Sequence, residues 1–247
     1  MVGSRDHHTP ALGNFKTTHW SLVLTAAHRD APERTAALNA LCQTYWYPLY
    51  AFVRRRGYDI HEAQDLTQSF FAHLVKAEIL QSVAQQKGKF RSFLLASLKN
   101  LLANEWNRAH TIKRGGEFSI ISWNTESGED RYCREPSHDA TPEKLFERSW
   151  ALTLIQTVFE KLKKEYLDIG KGQLFEAIQA SLSEGEGAET YGGIAAKLNL
   201  TEGAVKMSVL RMRRRFGYLL RVELAQTLAD AGEVEAELRY LVSCLGT

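Results

Sequence analysis

Cysteine is scarce in this 247-residue chain: 3 residues, Cys42, Cys133 and Cys244, widely separated and never in a CxxC pair. Such a set supports neither a disulfide framework nor a structural zinc site, and it fits a reducing, cytoplasmic compartment. Proline is rare as well, 5 residues with none after Pro142, so helices beyond that point meet no proline break. No apolar run approaches the ~18–20 residues that a membrane span requires. The polar stretch Met1–Pro10 lacks the apolar centre of a secretory signal. The 8 histidines show no HExxH or other tight ligand spacing, so no metal site is expected. Gly185–Thr190 falls short of GxGxxG and is acidic, hence repellent to phosphate, and neither GxSxG nor a Cys/His pairing stands out. The expectation is a protein without a catalytic centre, metal or cofactor.

What is present is an ordinary globular composition, 44% hydrophobic and 24% charged, enough for one or two domains of roughly 100–150 residues. The formal net charge of +2 conceals strong segregation. Residues 1–114 hold 15 Lys and Arg against 8 Asp and Glu, and residues 191–221 hold 7 against 1. Between them, 115–140 hold 2 against 6 and 141–190 hold 6 against 9, while 222–247 hold 1 against 5. Two basic blocks, an acidic middle and an acidic tail point to two surfaces that contact a polyanion, or to two solvated basic faces. The same complementarity would let the acidic segments shield the basic faces in the free protein.

Helical periodicity dominates the first half. Leu38, Leu41, Tyr45, Leu49 and Phe52 form one stripe, with Pro48 inside it and Arg54–Gly57 as a basic helix end with a glycine stop. Ile60, Ala63, Leu66, Phe70 and Leu74 form a second stripe, which Asp59 is placed to cap. A third helix is predicted over about Phe90–His110, carrying Phe93, Leu94, Leu98, Leu101, Leu102 and Trp106. Residues 111–140 lose the period and read as a linker, partly ordered on a neighbouring surface, with Phe118–Trp123 as a short isolated strand segment. Helices resume at Pro142–Tyr166, with proline suited to the first helical position, and again at Gln173–Leu182.

The most informative stretch is 190–216. A short helix carrying Ile194, Ala195 and Leu198 leads to Asn199, a residue type that tolerates the left-handed turn, and Thr201 is a good N-cap for the next helix. At 100° per residue, Val205, Val209, Met212 and Phe216 fall on one buried stripe. Gly203, Lys206, Met207, Leu210, Arg211 and Arg214 then point away, with Arg213 and Arg215 on the flanks. An apolar stripe opposite a cationic face suits a helix seated in the DNA major groove. If about five phosphates are neutralised, log K falls with log salt at a slope of about −4 to −5.

Tyr45-Trp-Tyr-Pro-Leu-Tyr, Arg54-Arg-Arg-Gly, Ala63-Gln-Asp-Leu-Thr-Gln, Phe70-Phe and Lys89-Phe-Arg-Ser-Phe-Leu together resemble region 2 of bacterial sigma factors of the extracytoplasmic-function type. Ile194-Ala-Ala-Lys-Leu-Asn-Leu-Thr-Glu-Gly-Ala-Val-Lys resembles their region 4. The resemblance covers about 15–245, in a subgroup with a longer linker and an acidic C-terminal helix over about Val234–Cys244. It implies an all-α chain of two helical domains joined by a flexible acidic linker. Residues 15–112 would be a region 2-like domain for polymerase docking and the −10 element, and 113–140 the linker. Residues 141–221 would be a region 4-like domain reading −35, and 222–247 an acidic helical extension. The implied role is an alternative sigma factor that directs core RNA polymerase to promoters and assists melting.

The resemblance further implies residue roles. Asp65 and Gln68 match the positions that dock on the β′ clamp, while region 4 would meet the β flap. Lys87, Lys89, Arg91, Asn100, Asn104, Trp106, Asn107 and Arg108 match the −10 elements, where an opened strand needs cations and a stacking surface. Trp106 equally continues the Leu98/Leu102 stripe and reads as core. The −35 set is Thr201, Gly203, Lys206, Met207, Leu210, Arg211, Arg213, Arg214 and Arg215. Met207 and Ser208 stand where many relatives carry a small and a basic residue. An anti-sigma factor is a further candidate partner; a membrane is not. The alternative is a one-component helix-turn-helix regulator with a helical sensor domain, which needs no polymerase surface.

Overall fold

The computed structural model describes residues 23, 25–26, 32–76, 89–109, 126–135, 140–182, 190–228 and 230–246. The described residues form an all-helical fold, and no strand occurs among them. The segment Phe118–Trp123 lies outside them.

Helix α1, Arg34–Arg55, buries Leu41, Tyr45, Leu49 and Phe52 along the expected stripe and contains Pro48. It ends where Gly57 takes φ 97°, a conformation that costs glycine little. Asp59 then caps α2, Ile60–Lys76. Its Oδ1 accepts the Glu62 N–H at 2.8 Å, and its own N–H donates to Glu62 Oε2 at 3.2 Å. This reciprocal pair is a capping box that satisfies two orphan donors. On α2, Ala63, Phe70 and Leu74 are buried as the stripe demands, whereas Ile60 in the first turn is exposed. Helix α3, Phe90–Ala109, buries Phe90, Leu94, Leu98 and Leu102, a strict i, i+4 row; Phe93 and Leu101 sit at its edge.

Within the acidic middle, residues 126–135 are described. Helix α4, Glu126–Cys133, is held against α1 by Glu129, which takes both the Arg54 guanidinium (3.0 and 2.8 Å) and the Tyr50 hydroxyl (2.5 Å). Gly128 lies so close to the Trp46 ring that a Cβ would come within 2.7 Å of it. Trp46 in turn stacks on Tyr50 at 5.0 Å.

Helix α5, Pro142–Asp168, has the expected proline in its first turn, and Thr141 Oγ1 accepts the Lys144 N–H at 3.2 Å. Helix α6, Gly172–Ile178, runs into a 3₁₀ turn, Gln179–Leu182. Helices α7, Tyr191–Leu198, α8, Glu202–Ala225, and α9, Val234–Leu245, complete the described chain. Two hydrophobic cores result. The first unites α1, α2 and α3 with Leu145, Phe146, Trp150, Leu154 and Val158 of α5, Leu220 and Leu224 of α8, and Leu241 of α9. The second gathers Leu162, Phe175, Ile178, Ile194, Ala195, Val205, Val209 and Met212. Helices α5 and α8 therefore enter both.

The first core gives a pH signature. Burial pushes the Cys42 thiol up from 9.0 to about 12 and raises the Tyr45 and Tyr47 phenols above their ordinary value. Groups whose folded values lie above the unfolded ones contribute stability below the unfolded value and lose it as pH climbs through the folded one. Urea midpoints should therefore fall from about pH 9 upward. A midpoint flat to pH 11 would mean that these groups reach solvent in the native state.

Candidate nucleic-acid interface

The turn between α7 and α8 is set by three local devices. Thr190 Oγ1 accepts the Gly193 N–H at 3.2 Å and starts α7. Asn199 takes φ 52°, ψ 46°, and Leu200 N–H returns to Ala195 O at 2.9 Å. Thr201 Oγ1 accepts the Ala204 N–H at 3.2 Å and starts α8. Each residue type suits its place: threonine oxygens serve N-termini, and asparagine enters the left-handed region at low cost. Val205 (0% exposed), Val209 and Met212 then press onto Ile194 and Ala195, while Phe216 is half-buried. The helix-turn-helix is held from within.

The opposite side of α8 is cationic and open. Thr201, Gly203, Lys206, Arg211 and Arg214 are exposed, and Met207 (48%) and Leu210 (39%) stand in solvent despite being apolar. Gly203 has nothing within 4 Å of a Cβ built on it, so packing does not call for glycine there. Lys206 pairs with Glu202 at 2.6 Å across one turn, an exposed contact that is cheap to exchange for another anion.

The flanking arginines do something else. Arg213 donates Nε and Nη2 to Ser181 O at 3.0 and 2.6 Å. Arg215 forks onto Glu165 at 2.8 and 2.6 Å, and Glu165 holds its guanidinium above the ordinary value. Both tie α8 to the helices behind it. Arg211 and Arg214 have no ion pair among the described residues, so the outward cations reduce to Lys206, Arg211 and Arg214.

The second group of expected residues is less uniform. Lys87 lies outside the described residues, and Trp106, Asn107 and Arg108 fall in the last turns of α3, where side chains are not described. Asn100 and Asn104 are exposed on α3. Arg91 is buried, its side chain 3% exposed, and in this arrangement its charge is covered from within the protein. Its Nε donates to Glu147 Oε2 at 2.7 Å, Nη1 pairs with Glu237, and the guanidinium lies 4.3 Å from the Trp150 ring centroid. Burial alone would lower its pKa, but Glu147 and Glu237 outweigh that and hold it above the ordinary value. Lys89 also pairs with Glu237, at 2.5 Å. Glu147 and Glu237 are partners of Arg91 that no motif in the sequence marks, and the acidic charge of the tail is a signal for Glu237 alone.

On α2, Asp65 is exposed and Gln68 half-buried one turn on, opposite the buried Ala63, Thr67 and Phe70. Among the described residues, no group of three or more His, Cys, Asp or Glu could hold a metal ion, and no helix is long and apolar enough to cross a membrane. No family model matches the chain, and no significant match is found among curated proteins or solved structures.

Proposed function

We propose that the chain is an alternative sigma factor, a cytoplasmic protein that brings core RNA polymerase to a promoter set and helps to open it. The observation that carries the reading is the α7–α8 unit: a helix-turn-helix packed from one side, with Lys206, Arg211 and Arg214 open on the other. Two functional modules divide the work. Residues 141–221 read −35 through the first turns of α8, with Met207 and Leu210 available to thymine methyl groups. Residues 15–112 dock on the polymerase through Asp65 and Gln68 and hold the −10 strand with Lys89 and the exposed Asn100 and Asn104.

With Arg213 and Arg215 engaged in internal bonds, α8 neutralises about three phosphates, and the salt slope for duplex binding is about −2.7 rather than −4 to −5. Arg211→Ala plus Arg214→Ala is expected to weaken duplex binding broadly and to flatten that slope by about 2, measured by fluorescence anisotropy across a salt series. An unchanged slope removes this face from the interface.

The discriminating experiment is co-elution with purified core RNA polymerase. The full chain should associate, and Asp65→Ala plus Gln68→Ala should abolish association while the far-UV circular dichroism stays unchanged. A chain that binds promoter duplex tightly alone and ignores the polymerase is instead a one-component regulator.

A further inference from the structure

The tail helix α9 sits on the cations assigned to the opened strand. Glu237, 1% exposed at its side chain, bridges Lys89 and Arg91 at the start of α3. One turn on, the Tyr240 ring lies 5.4 Å from Lys89 Nζ and 5.5 Å from the Arg91 guanidinium. A carboxylate between two cations and an aromatic ring beside them reproduce what a nucleotide offers such a site, a phosphate and a base.

Other features favour a detachable cover over a fixed structural helix. Burying a carboxylate is expensive, and apolar residues of similar size generally stabilise a packed helix as well or better. The seat of α9 is small: Leu241 is fully buried, while Val234, Leu238 and Leu245 are only partly covered. A helix of 12 residues is marginal by itself in water. Its remaining ties are light, an exposed Arg221–Glu235 pair at 2.6 Å and an Arg148 Nη1 bond to Leu245 O at 3.0 Å. Arg91 keeps Glu147 when α9 leaves, so release strands no unpaired buried cation.

We propose that α9 is an autoinhibitory strand mimic, which occupies the Lys89/Arg91 site in the free protein and is displaced when single-stranded nucleic acid enters it. The inference rests on the sigma-factor reading for the identity of that site. The acidic tail then keeps the free chain from single strands that it meets away from the polymerase.

Two full-length variants test it. Glu237→Gln keeps the helix and removes its charge; Leu241→Asp unseats the helix. Each should bind a fluorescein-labelled single-stranded DNA oligonucleotide at least about tenfold more tightly than the parent, because the site-open fraction rises. The salt slope should steepen by about 1.4, for two phosphates on a single strand. Adding Lys89→Ala should cancel most of the gain. Fully paired duplex, read by α8, should bind equally in all. If duplex binding persists but neither variant gains affinity for the single strand, the cover is refuted and the sigma-factor reading stands. If Leu241→Asp unfolds, Glu237→Gln decides alone. Failure of every form to bind duplex, single strand and polymerase overturns both.

Discussion

Trp150→Ala is expected to lower the unfolding free energy by about 3–5 kcal/mol, a large share of the ~5–15 kcal/mol that holds a typical domain together. Trp150 is among the largest fully buried side chains, 1% exposed in the first half of α5. It lies in the first core, and its ring supports the Arg91 guanidinium at 4.3 Å. Alanine would leave a cavity that α1 and α5 cannot both close, and would remove the ring face from a buried cation. Urea unfolding followed by far-UV circular dichroism measures the loss. A change below about 1 kcal/mol would mean that α5 is not a central element of this core.

Val205→Asp should act on the other core, and more selectively. The second core has few fully buried members, and Val205 meets Ile194, Val209 and Met212 with no exposure of its own. A carboxylate there has no partner, and an unpaired buried charge costs several kcal/mol even after relaxation. The α7–α8 helix-turn-helix is expected to open while α1 and α2 hold. Duplex affinity should fall to the non-specific level, about 10³-fold or more below a specific site. Hydrogen exchange should show lost protection in α7 and the first half of α8 only. Wild-type duplex affinity in this variant would show that Val205 does not hold the cationic face in place.

Where local chemistry decides, the sequence was a sufficient guide. Asp59 and Thr201 cap their helices, and Asn199 takes the left-handed turn. These outcomes depend on residues within a few positions of one another, as does the Val205/Val209/Met212 stripe. Where partners are distant, the sequence was silent. Arg91 reads as a surface cation until Glu147 and Glu237 are known to surround it. Glu126–Cys133 lacks a period of its own, because Trp46, Tyr50 and Arg54 of α1 supply its support. The stripe is legible as far as Phe216, yet α8 continues to Ala225 because Leu220 and Leu224 find the first core. The 100° step places Arg213 and Arg215 on the flanks of α8, but nothing in the sequence shows that Ser181 and Glu165 claim them.

The unbroken course of Glu202–Ala225, about 36 Å at 1.5 Å per residue, makes one rigid shaft of the cationic tip and its anchorage in the first core. No slack tether lies along it. Under the proposed function, in which the chain engages two DNA elements at once, this sets a gauge: each added base pair displaces one element by about 3.4 Å and rotates it around the duplex axis. Such a mismatch must be met by twisting or bending the DNA, at a cost that depends on the spacer's own sequence.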